Sequence, residues 1–325
     1  MFRITDNEEQ VVHFGGKRNP DKTFYVIRFE DDHAWGLLMC FQWVMAHVRL
    51  ALERRLIPVV DMENYHGSYR EEEPINGTRN VWEYFWKQPG GVSLEEAYGS
   101  RNIVLSPRLD LPAATIETIR YLDSDEMIMD DHNLIATHMQ FNETTLAYAG
   151  EYCSTFPRDG EILGVISRGS DYNKTKPIGA ASMLSPELLL ELAKAVMHKH
   201  NIKYCFLATE EKKVLEMFLG EFGSNLIWNP ESVFFDDIFT PKKNESLLSQ
   251  HFHKIERQYP RYAVALNYLT NVIALSRCQY FLGSVGATGG RIAILLNGCR
   301  YIKRYPIYLG RYVWKIPDIL KTLSW

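Results

Sequence analysis

Arg168-Gly169-Ser170-Asp171 closes a short apolar run, Ile162, Leu163, Val165 and Ile166, near the middle of 325 residues. A guanidinium is planar and permanently charged, which suits a phosphate or pyrophosphate, and the glycine beside it lets a backbone amide approach the same anion. The other reading is an Arg and an Asp that pair across a turn. Two more clusters share this character: Thr209-Glu210-Glu211 after a second apolar run, and Gly283-Ser284-Val-Gly-Ala-Thr288-Gly-Gly290 after a third, leading into a helix expected over 291–296 that opens with Arg291. A turn rich in Gly, Ser and Thr at a helix start offers free amides and a positive dipole end to an anion. Carboxylates at Asp171, Glu210 and Glu211 only accept hydrogen bonds, so they fit sugar hydroxyls or base amines. The implied chemistry is recognition of a nucleoside diphosphate. Because the turn is neither GxGxxG after a first strand nor a phosphate loop ending in Gly-Lys-Ser/Thr, NAD binding and ATP hydrolysis are disfavoured.

These clusters need a parallel sheet to bring them together. The runs 162–166, 204–209 and 279–282 are short, apolar and separated by helical patterns at 185–200, 212–221 and 261–277, which is the alternation of a Rossmann-like α/β fold. In such a sheet the carboxyl ends of the strands share one edge, where ligands bind. The first half shows the same alternation: a strand over 23–30, a helix over 37–54 and a strand over 56–61. Asp31, Asp32 and His33 follow its first strand, either as ligand or acid–base groups or as ordinary turn and capping residues. Asp61 and Tyr65, after the next strand, are acceptor-side candidates, although a strand-end Asp also caps turns. The segment 64–91 is aromatic and irregular; its rings suit carbohydrate stacking or simply cover the sheet. A short helix is expected to begin at Ser93, and further helices over 116–122 and, as one long element, 132–155. A Pro, Gly and charge cluster at 156–160 marks a boundary, giving an N-terminal domain 1–157, a C-terminal domain 158–307 and a terminal helix 308–325. That last helix either docks back on the first domain or touches a membrane with its aromatic stripe.

Composition narrows the partners. A net charge of −4 supplies no field for wrapping nucleic acid. Five dispersed cysteines without a CxxC pair read as free thiols of a reducing compartment, and their spacing offers no metal cage. The polar N-terminus lacks the order of a signal peptide, and no apolar run reaches the ~18 residues of a membrane span, so the expected location is the cytoplasm, either free or at the inner face of the membrane where lipid-linked acceptors reside.

The segment Val165-Ile-Ser-Arg-Gly-Ser-Asp-Tyr172 resembles the arginine motif of the fucosyltransferase superfamily, which includes core α1,6-, nodulation and protein O-fucosyltransferases. Phe206-Leu-Ala-Thr-Glu-Glu211 is similar to the second motif of that family, and Leu275-Ser-Arg-Cys-Gln-Tyr-Phe-Leu-Gly-Ser284 with Thr288 and Arg291 to its third. Gly36-Leu-Leu and Ile57-Pro-Val-Val-Asp-Met-Glu-Asn-Tyr65 also look like small bacterial members. The resemblance implies a GT-B architecture of two Rossmann-like domains with a cleft between them, a GDP-sugar co-substrate held mainly by the second domain, inversion at the anomeric carbon, and no metal or other cofactor. It places Arg168 on the donor diphosphate. Gly169, Ser170, Asp171, Glu210, Glu211, Gly283, Ser284, Thr288 and Arg291 line the same donor site. Departures are definite: Ile166 stands where the family has a His, Gly169 where it has a second Arg, and the family's base falls near Lys176. The catalytic candidates are therefore Arg168, Asp171, Asp32 and His33. The expected reaction is transfer of fucose from GDP-fucose to a glycan, free or lipid-linked, of a surface polysaccharide. The alternatives are another nucleotide-sugar donor on the same fold, or a binding protein without turnover.

Overall fold

A computed structural model describes residues 11–28, 36–106, 122, 124–168, 182–235, 252 and 254–310. They form two sheets. The first contains β1 (Val11–Val12), β2 (Arg18–Arg28), β3 (Ile57–Asp61) and β4 (Ser100–Leu105) in the order β1-β4-β2-β3. Strand β2 pairs in parallel with both β3 and β4, and only the short edge strand β1 runs antiparallel. Phe24, Tyr25, Val26 and Ile27 are fully buried, as a strand covered on both faces requires. Helix α1 (Leu37–Glu53) makes the crossover to β3, and α2 (Leu94–Tyr98) precedes β4. Ser93 caps α2 by accepting from the Glu96 N–H at 3.1 Å.

The second sheet contains β5 (Ile162–Ser167), β6 (Tyr204–Thr209), β7 (Leu226–Ile227), β8 (Tyr280–Ser284) and β9 (Lys303–Ile307), all parallel, in the order β7-β6-β5-β8-β9. Its crossovers are α5 (Pro186–His200), α6 (Lys212–Phe222), α7 (Pro260–Arg277) and α8 (Thr288–Asn297). Local chemistry sets their ends. Ser185 caps α5 by accepting from the Leu188 N–H at 3.3 Å, Pro186 occupies its first turn, and Asn201 closes it in the left-handed region at φ 52°.

Two sequence expectations change, and a third reading that the sequence leaves open is decided. The helix expected over 132–155 is two: α3 (Asp125–His138) and α4 (Glu143–Ser154). The break belongs to Asn142, whose side chain accepts from the Thr145 N–H at 2.9 Å while donating to the carbonyls of Glu83 and Tyr84. A continuous helix would forfeit all three bonds. Helix α8 begins at Thr288 rather than 291, so Gly289 and Gly290 lie inside its first turn. The aromatic segment contributes core: Trp82, Tyr84, Phe85 and Trp86 are buried, with Trp82 and Trp86 stacked at 4.5 Å and Trp86 5.3 Å from the ring of Phe41 on α1. These four rings cover the sheet and are not presented to a sugar.

Helices α3 and α4 precede the second sheet in sequence yet pack on its helices. His132 donates from Nδ1 to the Leu295 carbonyl of α8 at 2.8 Å, and the Tyr148 hydroxyl to Asn267 of α7 at 3.0 Å. Apolar packing runs continuously from α1 and the aromatic segment to α7 and α8. Cys40, Cys205 and Cys278 are buried, Cys153 and Cys299 partly so, and none of the five forms a disulfide. No helix among the described residues is long and apolar enough to cross a membrane. The expected helices over 116–122 and 308–325 lie, apart from Leu122 and 308–310, outside the described residues.

Candidate functional site

The chain leaves β5 toward β6 on one side and later returns to place β8 on the other. The carboxyl ends of β5 and β8 therefore flank the point where winding direction reverses, and a doubly wound sheet opens a crevice there. Arg168 is the first residue beyond β5, and Ser284 the last of β8. Gly283 faces Ile166 in register, and a methyl group at 283 would run into Ile166 Cγ2 and lie 3.0 Å from the Ile166 carbonyl oxygen. Only glycine fits there.

Arg168 is half-buried and directed by α7. Its Nη1 donates to the Tyr268 hydroxyl at 3.4 Å, and its guanidinium carbon lies 5.9 Å from the centre of the Tyr268 ring. The same hydroxyl fills the space where a Cβ on Gly289 would sit, so Tyr268 touches both Arg168 and the first turn of α8. That turn carries no side-chain cap: Ala287 is its N-cap and has no hydroxyl or carboxylate to offer. The turn follows the carboxyl end of β8, and its N-cap residue leaves the first amides of the helix without a capping side chain of their own. Thr288, half-exposed, accepts from Arg291 Nη2 at 3.5 Å, and Arg291 is buried behind it. Ser284 is buried, with its hydroxyl accepting from the Gly286 N–H at 3.3 Å.

Glu210 and Glu211 lie half-buried at the end of β6, one strand further along the same edge. The Glu210 carbonyl accepts from the Phe235 N–H at 2.9 Å, and Glu211 is the N-cap residue of α6. Tyr69, from the aromatic segment of the first half, reaches this edge. Its hydroxyl accepts from the Leu37 N–H at 3.2 Å at the start of α1, and its ring lies 5.3 Å from Phe252. Burial raises the Tyr69 pKa, the Leu37 bond opposes that, and the charges of Arg168 and Glu210 are both felt there. Tyr69 is thereby placed between the first-half helix start and the second-half strand ends.

Asp61 belongs to a different setting. It is fully buried and accepts four hydrogen bonds: from the N–H groups of Glu63 (3.1 Å) and Asn64 (2.9 Å), from Asn64 Nδ2 (2.9 Å) and from the Tyr98 hydroxyl (2.6 Å). This is the turn-capping arrangement of a strand-end Asp. Tyr65 is half-buried, with the guanidinium carbon of Arg28 5.6 Å from its ring centre. Arg28 ends β2 and donates from Nη2 to the Ser106 carbonyl at 2.6 Å.

Of the sequence candidates, the fold brings Arg168, Gly283, Ser284, Thr288, Arg291, Glu210 and Glu211 to one edge, and leaves Asp61 and Tyr65 on the first sheet. Gly169, Ser170, Asp171, Asp32 and His33 lie outside the described residues. Tyr268, Tyr69 and Arg28 were not visible as site residues. Tyr268 sits inside a helical pattern like any other aromatic, and nothing in its neighbours marks which face meets Arg168.

No family model matches the chain, and no curated protein matches it by sequence. Among solved structures it is similar to NodZ α-1,6-fucosyltransferase co-crystallised with GDP, at 14% identity over 85% of this chain and 93% of that one, with a TM-score of 0.47. The fucosyltransferase NodZ from Bradyrhizobium gives 15% identity, 85% and 94% coverage and 0.47. POFUT1 in complex with GDP-fucose gives 11%, 87% and 72%, and 0.36.

Proposed function

We propose that this chain is a glycosyltransferase that moves a sugar, fucose from GDP-fucose, onto a hydroxyl of a glycan acceptor. The observation that carries the proposal is the crevice between β5 and β8, with Arg168 on one lip and the uncapped first turn of α8 on the other. A cation and a helix N-terminus set across a switch point form a receptacle for a diphosphate. The choice of guanosine and fucose is supported by the motif resemblance over 165–172, 206–211 and 275–284.

In the reaction the acceptor oxygen bonds to the anomeric carbon, the bond from that carbon to the β-phosphate oxygen breaks, and the electron pair leaves with GDP. Attack from the face opposite the leaving group inverts the centre. Negative charge grows on the diphosphate as this happens. On this reading Arg168 and the α8 amides compensate that charge, and one preorganised donor of this kind contributes about 3 kcal/mol of barrier lowering. This reading assigns charge compensation to the protein's own groups and calls on no metal. The acceptor proton goes to a base drawn from Asp32, His33 or Asp171. The acceptor belongs to a surface polysaccharide, free or lipid-linked, and is met from the side of the first sheet. Transfer takes place in the cytoplasm, at the inner face of the membrane when the acceptor is lipid-linked.

The test is a thermal-shift and donor-hydrolysis screen with GDP, GDP-fucose, GDP-mannose, UDP-sugars and dTDP-sugars in the presence of EDTA. Stabilisation by guanine nucleotides with slow GDP release supports the proposal, and ligand at 100 times its Kd stabilises by about 2.7 kcal/mol. Stabilisation by another nucleotide replaces the donor. Stabilisation without turnover in any acceptor pool indicates a binding protein, and no response from any nucleotide rejects the assignment.

A further inference from the structure

We infer that the carboxyl edge of the first sheet holds an anion site built on Arg28, and that the acceptor reaching it carries an oxyanion group, a carboxylate or a phosphate. The inference rests on the glycosyltransferase reading above and names the class of acceptor. It begins with strand order. The chain places β3 on one side of β2 and later β4 on the other, so the carboxyl ends of β2 and β4 flank a second point where winding reverses. Arg28 is the last residue of β2, and Ser106 the first beyond β4.

Three neutral groups fix Arg28 there. Its Nη2 donates to the Ser106 carbonyl at 2.6 Å and its backbone N–H to the Ser106 hydroxyl at 2.9 Å, so the end of β4 orients both side chain and main chain. The Tyr65 ring centre lies 5.6 Å from the guanidinium carbon. Among the described residues no carboxylate pairs with this arginine. The nearest candidate by register is Asp61, which faces Arg28 on β3. Both Asp61 oxygens are already taken by Glu63, Asn64 and Tyr98. Arg28 Nε is buried with no hydrogen-bond partner, and Nη1 donates to none of the described residues. Partly desolvating a guanidinium without a counter-ion costs free energy, which a ligand oxyanion offsets and a neutral hydroxyl does not. A planar, permanently charged fork also matches carboxylate and phosphate oxygens in shape.

The experiment is ligand-observed NMR titration of the full chain, with GDP at saturation to fill the donor crevice, using two matched pairs. One is methyl glucuronide against methyl glucoside, the other glycerol phosphate against glycerol. In wild type the anionic member of one pair is expected to bind about tenfold more tightly than its neutral partner, as one charge-assisted hydrogen bond implies. R28Q should cut that preference to within about twofold and leave GDP affinity within about twofold, because a neutral amide has no charge to offer and the donor site lies on the other sheet. A response from the first pair identifies a carboxylate on the acceptor, and from the second a phosphate. Preference in neither pair, or a preference that survives R28Q, overturns the inference. So does an equal loss of GDP binding in R28Q, which would assign Arg28 to the donor. Should R28Q not fold, R28K makes the test: an ammonium cannot keep the Ser106 bond and present a second planar edge, so the preference must shrink, and an undiminished preference overturns the inference. If wild type binds no GDP yet shows the preference that depends on Arg28, the glycosyltransferase reading fails and the anion site survives it. If wild type binds GDP and shows preference in neither pair, only this inference is rejected.

Discussion

The Glu71 carboxylate accepts a hydrogen bond from the Tyr262 N–H at 2.8 Å, across 191 residues of chain. Tyr262 lies in the first turn of α7, whose own N-cap residue, Tyr259, offers no side-chain cap. Glu71 is buried and also lies 3.9 Å from Arg261. A carboxylate from the first half thus does what a capping residue does, from outside the helix. E71A should lower stability by about 1–2 kcal/mol through the orphaned amide and the lost dipole contact, with E71Q losing less because it can still accept. Urea unfolding of the two variants measures the difference. Because α7 bears Tyr268, E71A should also weaken GDP binding.

Acid sensitivity should trace partly to His47. It is buried on α1, its Nδ1 accepts from the Tyr25 hydroxyl at 2.8 Å, and burial pushes its pKa down to about 3 from the ordinary 6.5. Burial pushes the Tyr25 hydroxyl up, so it stays a donor. Below the unfolded value the unfolded chain takes up a proton that the native chain refuses. Stability is therefore lost as pH falls from about 6.5 toward about 3, at up to about 1.4 kcal/mol per pH unit from this group. Unfolding midpoints at pH 7, 6, 5 and 4 should fall more steeply for wild type than for H47Q. Parallel slopes would remove His47 from the account.

G283A should be costly for its size. The added methyl meets Ile166 Cγ2 and the Ile166 carbonyl on the neighbouring strand, at the last pair of the β5–β8 ladder. A loss of about 1–3 kcal/mol is expected, as for overpacked cores. The melting temperature checks this, and nucleotide affinity should fall too because β5 and β8 form the crevice walls.

Asp61 offers a way to separate scaffold from chemistry. Four donors converge on it. D61A should destabilise by about 1–3 kcal/mol by leaving buried donors unpaired, while GDP affinity of the folded fraction stays at the wild-type level. A selective loss of acceptor use with unchanged stability would instead make Asp61 an acceptor contact.

How much of this is legible in the sequence depends on where each signal is stored. Strands β5, β6 and β8 are legible because apolar runs covered on both faces need no partner to be recognised, and their polar punctuation marks the strand ends. Strand β9 is not, since Lys303, Arg304 and Pro306 are tolerated only because it is an edge strand and half-exposed. The break between α3 and α4 hides because Asn142 earns its place through Glu83 and Tyr84, almost 60 residues back in the chain. The aromatic segment reads equally as a sugar platform or as core, and only packing against Phe41 decides. Of the site, the charged and glycine residues are legible; Tyr268 and Glu71 are not, because their meaning lies wholly in a tertiary partner.

The strand order has a consequence for biosynthesis. Strand β5 can pair with β6 soon after both emerge, but its other neighbour is distant: the Ile162 N–H is held by the Gln279 side chain, 117 residues later, at the start of β8. Contacts of such separation close slowly. The two walls of the crevice therefore meet only after β8 has been made, and a chain that stops short of it folds the first wall without the second.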